Sequence, residues 1–333
     1  MKIIVDAMGG DNAPTAAVLG AIEGSKNLNV DVALVGQGET ILKVLQDNGI
    51  AELPKGVEIV HASEVVEMCD DPTTVMKEKK DASMFVGLRL LKEGGGDAFV
   101  SAGNTGALLA GATLLVKRIP GIRRAALAPV FPSVDGHTLL VDAGANAVCT
   151  SEYLLQFAEM GSDYAKQILK RDNPRIGLLN IGTEETKGTD LQLETFPLLQ
   201  EAHKKGRLNF VGNVESRDGM LGVADVLVAD GWTGNIFLKT MEGVGIFVGK
   251  ELKNIIYADT KSKIAGALLK NSLGDFKKKL SSEEVGGTAL LGVQKPVIKA
   301  HGSSSAYAFS HAVRQGKLFA ESGLIDLWQS KKD

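Results

Sequence analysis

Six short stretches of this 333-residue chain couple an apolar run to an abrupt cluster of small polar residues. The most developed reads Asp97-Ala-Phe-Val-Ser101-Ala-Gly103-Asn104-Thr105-Gly106-Ala-Leu-Leu-Ala-Gly-Ala-Thr-Leu-Leu-Val116. Residues 98–100 predict a strand, 101–106 a tight turn, and the run after it a helix. Gly103 and Gly106 would let backbone approach a ligand, while Asn104 and Thr105 would set polar side chains beside the unpaired amides of a helix N-terminus. Such a turn can hold an anion, although the same residues also cap helices that bind nothing.

The arrangement recurs at residues 3–12 with Asp6, Gly9, Gly10 and Asp11, at 139–146 with Asp142 and Asn146, and at 176–183 with Asn180. It returns at 226–235 with Asp230, Thr233 and Asn235, and at 296–305 with His301 and Ser303. A further polar strand exit at 210–218 carries Glu215 and Arg217. Ligands of open α/β sheets bind beyond the carboxyl ends of the strands, so the six turns are expected to line one polar crevice.

The residues narrow the chemistry of that crevice. There is no His-Glu-x-x-His, Cys-x-x-Cys or Gly-x-Ser-x-Gly, and Gly245-Ile-Phe-Val-Gly249-Lys250-Glu251 is one residue short of a Walker loop and lacks its Ser/Thr. Gly36-Gln37-Gly38 could open a dinucleotide fingerprint, but Ile41 stands where Gly or Ala is required. Cys149 follows Asn146 by three residues, yet a free cysteine is more often buried and inert. Arg123 and Arg124 could bind phosphate, but paired arginines near a turn are more often a solvated or interface feature. Of five histidines only His301 sits on a crevice turn. What remains is a site of amides, Asn, Ser and Thr, with one lysine, Lys187, on a Gly-bounded loop. Such a site serves a nucleophile that needs no strong base, with orientation and oxyanion stabilisation supplying the rate. Inorganic phosphate is one, and a thioester, whose thiol has a pKa of about 8.5, is a matching electrophile.

The elements that must position these groups alternate. Residues 3–5, 13–26, 30–35, 39–48 and 57–60 predict strand, helix, strand, helix, strand, the pattern of a parallel sheet with covering helices. Residues 77–81 predict a charged helix start, 83–93 a helix, and 151–171 and 192–205 two more. Composition is that of a globular protein, 44% hydrophobic and 23% charged, with two cysteines and a net charge of -3 that gives no argument for nucleic acid, which is not expected as a partner. Residues 250–280 depart from the alternation: eight lysines face three acids there, a local charge of +5, leaving -8 on the rest. Ile264, Leu268 and Leu269, continued by Phe276 and Leu280, predict a protruding amphipathic helix pair, read as a dimer interface, a contact with anionic membrane, or both. No secretory signal or membrane-crossing run is apparent.

Taken together, Val5-Asp6-Ala-Met-Gly9-Gly10-Asp11-Asn12-Ala-Pro14, Ser101-Ala-Gly-Asn104-Thr105-Gly106, Asp142-Ala-Gly-Ala-Asn146, Gly212-Asn213-Val-Glu215-Ser-Arg217-Asp218, Asp230-Gly-Trp-Thr233-Gly234-Asn235 and Lys299-Ala-His301-Gly302-Ser303-Ser304 resemble the bacterial PlsX-type phosphate acyltransferases. The resemblance runs in order from residue 1 to about 320, with Trp232 where phenylalanine is expected. It implies a three-layer α/β/α sandwich with a mostly parallel mixed sheet, isocitrate/isopropylmalate dehydrogenase-like, in which 1–333 form one catalytic domain of two intertwined halves. It further implies that acyl-[acyl carrier protein] and phosphate become acyl phosphate for phospholipid synthesis, without a cofactor or metal. The protein would be a cytoplasmic homodimer in peripheral contact with the membrane and with the downstream glycerol-phosphate acyltransferase. Lys187 and Asn235 are then expected to be catalytic, the remaining turn residues to bind phosphate and substrate, and Asp6, Asp11 and Glu215 to orient donors, since a carboxylate nucleophile would repel phosphate. Two rivals stand beside this reading, a phosphotransacetylase acting on acyl-CoA and a non-enzymatic anion-binding membrane scaffold.

Overall fold

The structure, a computed structural model, describes residues 1–280 and 286–331, with backbone alone at Asp275 and 277–280. The expected charges of Lys277, Lys278 and Lys279 and the apolar position Leu280 therefore lie outside the described side chains. The first half runs β1 (Lys2–Asp6), α1 (Thr15–Leu28), β2 (Asp31–Gly36), α2 (Gly38–Asp47), β3 (Val57–His61), α3 (Val75–Glu78), α4 (Ser83–Lys92), β4 (Ala98–Ser101), α5 (Thr105–Gly111) with a π-helical extension (Ala112–Lys117), and β5 (Ala126–Ala128). The second runs β6 (Val130–Ser133), β7 (Gly136–Val141), α6 (Ser151–Gln167), β8 (Arg175–Asn180), α7 (Asp190–Lys204), β9 (Asn209–Glu215), α8 (Ser216–Gly219), β10 (Val226–Val228) and α9 (Gly231–Tyr257). Two helices, α10 (Thr260–Leu268) and α11 (Lys270–Leu280), precede the return to the first half through β11 (Thr288–Leu291), β12 (Val297–Lys299), α12 (Ala306–Glu321) and α13 (Leu324–Ser330).

Instead of one sheet there are two, ordered β3-β2-β1-β4-β12-β11-β5 and β6-β7-β10-β8-β9, each largely parallel. They share the segment 126–133, which Pro129 divides because proline has no amide hydrogen to give a ladder. The carbonyl of Pro129 still accepts from Leu140, and that of Leu127 from Ala143, so β7 runs past the break beside both strands. Register is consequently continuous. Val5, Val100, Ile298, Ala289 and Ala128 lie level across the first sheet, and Val141, Val228, Leu178 and Asn213 across the second. Because β7 is antiparallel to β6, the parallel strands of the two sheets point in opposite directions.

Successive residues of β1 divide between two cores, Ile3 and Val5 with α1 and α12 on one face, Ile4 with α4 and α5 on the other. This explains the unbroken apolar runs of the inner strands, which bury both faces. In the second sheet α6 and α7 cover the first face, and the start of α9 supplies Phe237, Leu238 and Met241 to the second. The helix start expected at 77–81 is displaced: α3 ends at Glu78 and α4 begins at Ser83. The charged residues between turn back on the preceding loop, Lys79 to Asp70 and the Val65 carbonyl, and Asp81 to Ser63. Among the described residues no helix is long and apolar enough to cross a membrane.

The joint between the sheets is Asp142, fully buried at the end of β7. Its carboxylate accepts the amide of Leu127 at 2.9 Å, those of Ala145 and Asn146 at 3.1 and 2.7 Å, and the Asn146 side chain at 2.9 Å. Replacing Asp142 with alanine strands these buried donors, so the variant is expected to lose about 3 kcal/mol or more of stability. A urea midpoint close to that of the parent protein would remove Asp142 from this role.

Candidate functional site

Direct contacts collect the strand-exit turns into three groups. The first joins the exits of β1, β4 and β12. Asp6, at the end of β1, is buried and accepts the hydroxyls of Ser101 and Ser83, both at 2.7 Å, with the amide of Met8 at 3.2 Å. Burial pushes its carboxyl above the ordinary carboxylate range, opposed by those hydroxyls and by the amides of Met8 and Gly9. A side chain at Gly9 would strike the Asp6 carboxylate and the Gly103 amide, so only glycine lets these two turns touch. The amide of Asp11 reaches the Gly302 carbonyl at 2.8 Å, and Asn12 holds the carbonyls of Ser303 and Ser304. Gly10 packs against Ala102 and the Gly302 carbonyl, and exposed His301 shares a hydrogen bond with Ser303 at 2.9 Å.

The turn at Ser101 to Gly106 is more enclosed than its sequence implies. Asn104 caps α5 by accepting the Ala107 amide, and its side-chain amide is spent on the carbonyls of Glu67, Met68 and Asp70. Gly106 lies under Pro72. The segment 67–72 therefore roofs the start of α5, and of the turn's polar side chains only Thr105 faces solvent. Ser101 is buried and takes the Gly103 amide while donating to Asp6.

The second group joins the exits of β7 and β10. Asp230 caps α9, accepting from the amide and the hydroxyl of Thr233. The Gly231 amide reaches the Asn146 carbonyl at 2.8 Å, and Asn146 in turn donates to the Ala125 carbonyl. Gly234 lies so close to the Asp142 carbonyl that any side chain would overlap it. This contact sets exposed Asn235 beside Gly144 and open to solvent. Burial raises the Asp142 carboxyl, against its four donors, and pushes the Cys149 thiol up to about 12, which leaves that cysteine unsuited to nucleophilic attack. Arg124 stacks on Tyr153 and Arg123 pairs with Glu152 at 3.7 Å, so both arginines are engaged at the start of α6.

The third group joins the exits of β8 and β9. Asn180 donates to the Lys187 carbonyl at 3.0 Å and accepts the Ile181 amide at 2.8 Å, and Asn213 donates to the Glu184 carbonyl at 2.8 Å. The Lys187 ammonium is exposed, with no carboxylate partner among the described residues. Glu215 is paired with Arg217 at 2.6 Å, and Arg217 also reaches toward Asp218.

The polarity of the sheets explains the grouping. Each exit of a parallel strand falls one or two residues past the level row, on opposite sides of it in the two sheets, which separates the first group from the other two, although the turn after β7 still meets the first sheet through Asp142 and Asn146. Helix α9 bridges the difference by turning back along the second sheet, where its Lys239 lies near enough to depress the proton affinity of Lys299.

Lys299 itself was not among the expected site residues. It closes β12, is nine-tenths buried, and donates to the carbonyls of Ala102 and Ala300. Burial lowers its pKa to about 8, opposed by the charges of Asp6 and Asp11. The sequence signal is a lysine ending the apolar run Pro296-Val-Ile. Ser83 carries no such signal, since it begins a helix 77 residues from the carboxylate it serves.

Ile264, Leu268 and Leu269 lie far from these turns and are all exposed. Helix α10 buries no residue and packs on α9 where Gly266 meets Ile256. A cavity of about 330 Å³ lined by Lys92, Asp97, Lys295 and Asp326 sits instead at the opposite, N-terminal edge of the first sheet, away from the strand exits. No cluster suited to a metal occurs among the described residues.

Comparison with known proteins supplies independent information. The profile of the family described as "Fatty acid synthesis protein" matches residues 1–327. A phosphate acyltransferase of Thermoanaerobacterium thermosaccharolyticum is 45% identical over 325 residues, covering 98% of this chain and 95% of that protein. One from Oceanobacillus iheyensis is 46% identical over 322 residues, covering 96% and 94%. A phosphotransacetylase from Streptococcus pyogenes of known structure is similar in fold, with a TM-score of 0.68 at 18% identity over 96% of this chain and 94% of its own.

The depressed pKa of Lys299 has a testable sign. The folded protein releases this proton near pH 8, the unfolded chain near 10.5, so stability should rise with pH through that interval. Denaturant midpoints across it should show a contribution of this sign that Lys299→Met removes. An identical pH dependence in the two proteins would mean that the Lys299 ammonium is not desolvated in the fold.

Proposed function

The chain belongs to the fatty acid synthesis family whose curated members are phosphate acyltransferases, and from that membership we propose that it transfers a long-chain acyl group from acyl carrier protein to inorganic phosphate. The acyl phosphate formed would feed phosphatidic acid synthesis. That the chain is an acyltransferase follows from the family itself; the acyl donor and the residue roles are our reading.

The observation that carries the reading is the state of the carboxylates. Asp6 and Asp142, which follow the strands directly, are buried and saturated by donors, and Asp230 is consumed by its helix cap. None is free to act as a general base. Among the turns, exposed acids occur only further along, at Asp11, Glu184 and Glu185, and the exposed cation and donor of the expected catalytic pair are Lys187 and Asn235. Such a surface suits a nucleophile already ionised near neutrality. An oxygen of hydrogen phosphate dianion attacks the thioester carbon, the carbonyl oxygen gains the electron pair, and collapse breaks the carbon–sulfur bond. The departing thiolate takes up the proton that phosphate brought, so no protein base is required. Lys187 would draw phosphate and offset the oxyanion's charge, and Asn235 would donate to the oxyanion. Gly10, Thr105, Asn146, Thr233, His301 and Ser303 would line the approach of phosphate and substrate, with buried Gly9 and Gly103 holding their turns together.

The finer features of the family belong to the same reading: a sandwich of isocitrate dehydrogenase type, a homodimer, and peripheral contact with anionic membrane through Ile264, Leu268 and Leu269. These three are solvent-facing among exposed lysines, the pattern that favours anionic headgroups.

Assays of acyl phosphate formation with a long-chain acyl-carrier-protein thioester beside the matching acyl-CoA separate the donors. Turnover with the carrier-protein substrate is expected, whereas turnover with acyl-CoA alone would favour a phosphotransacetylase. Lys187→Ala and Asn235→Ala should each lower turnover about tenfold or more with the fold intact. Near-normal rates would withdraw the roles given to them.

A further inference from the structure

The nine residues from Ile181 to Thr189 connect β8 to α7, and seven of them are exposed, including Lys187. An exposed loop ordinarily leaves its side chains mobile. Here, both backbone polar groups of Lys187 are hydrogen-bonded, the carbonyl to the sheet and the amide within the loop. Its amide donates to the Glu184 carbonyl at 3.1 Å, and that same carbonyl accepts the side chain of Asn213 at 2.8 Å. Its own carbonyl accepts the side chain of Asn180 at 3.0 Å. The two asparagines stand on adjacent parallel strands, Asn213 level with Leu178 and Asn180 two residues further along β8. At the end of the loop, Thr189 and Gln192 close a capping box that fixes the start of α7.

The two asparagines differ from ordinary loop bonding. Asn213 is buried, and its side-chain carbonyl oxygen finds no partner among the described residues. A buried, half-satisfied amide costs stability, which an apolar residue at this place in β9 would not. Its one bond is the one to Glu184, so what the fold gains from it is the position of that carbonyl. The loop is thus tied to the strands as well as packed on itself, where the Lys187 stem and the Glu184 carboxylate lie against Gly182.

From this geometry we infer that Asn213 and Asn180 are positioning residues for catalysis, holding the backbone of Lys187 from two adjacent strands so that its ammonium is presented at the strand exits. The inference rests on the catalytic reading of Lys187. Neither asparagine touches the reacting atoms, and each acts only through that lysine. A donor held within a fraction of an ångström stabilises a developing charge without reorganising, whereas a loose one must be ordered during the reaction. Loss of the tether should therefore lower kcat and leave KM for the acyl thioester nearly unchanged.

The test is a double-mutant cycle with the full chain, using acyl phosphate formation as readout. Asn213→Ala and Asn180→Ala are expected to lower kcat about fivefold or more each, and in a Lys187→Ala background about twofold or less. A purely structural role gives the same proportional loss whether or not Lys187 is present, and that result overturns the inference. So does near-normal kcat of both single variants while Lys187→Ala is impaired. Near-normal turnover of Lys187→Ala itself overturns the role of the lysine and the tether together, which separates the two failures. If Asn213→Ala fails to fold, Asn180→Ala, at a half-buried position, carries the cycle alone.

Discussion

Asp142 lies where two sheets of opposite polarity share one segment, and its carboxylate takes an amide from β5 on one side and two from its own turn on the other. Both the register of the molecule and the placement of its polar turns depend on this joint. It reinforces the break at Pro129, which the Leu140 and Ala143 amides also span, against slippage of β7, and slippage by a single residue reverses which side chains face each core. Because the level row passes through this point, the parallel strands of each sheet end within two residues of it. The polar residues that follow are thereby brought to the surface together within each half.

The same joint explains the chemistry. A carboxylate at the end of a parallel strand sits beside unpaired amides, and burial makes it costly unless those amides are satisfied by it. Asp6 and Asp142 are both used in this way, one completed by two serine hydroxyls and the other by backbone and Asn146. The acids that end β1 and β7 are therefore structural, while the acids that reach solvent, Asp11, Glu184 and Glu185, lie further along the turns. Transfer to a nucleophile that carries its own charge and proton is the reaction such a surface can support without a base.

Much of this was legible in the sequence because a strand followed by Gly, Asp and Asn is a local pattern, and local patterns survive folding. The first five elements fall within about two residues of their expected bounds, and the turns begin where the apolar runs end. The illegible parts are long-range. Nothing in residues 67–72 announces that they will cover Asn104, which reads as an open anion site until its amide is seen bonded to three carbonyls of that segment. Asn213 meets Glu184 across 29 residues, and Ser83 meets Asp6 across 77. The single crevice expected from six similar turns became three groups, and the strand polarity that separates the first from the other two, fixed by how β6 pairs with β7, leaves no trace in composition. Lys299 was hidden for another reason: a buried lysine looks in sequence like a surface one.

Helix α9 converts a local constraint into a long-range one. Its first turn is pinned three ways, by the Asp230 cap, by the Gly231 amide on the Asn146 carbonyl, and by the contact of Gly234 with the Asp142 carbonyl. A helix of 27 residues is about 40 Å long, so a small rotation at its start would become a displacement of several ångströms at Tyr257. The tight contact at Gly234 prevents that rotation. Helix α10 is seated on the far end through Gly266, and its orientation relative to the strand exits is accordingly set by the buried carboxylate that joins the two sheets. The exposed apolar residues of α10 and the exposed Asn235 thus stand at opposite ends of one rigid element, and a change in the packing around Asp142 must move both together.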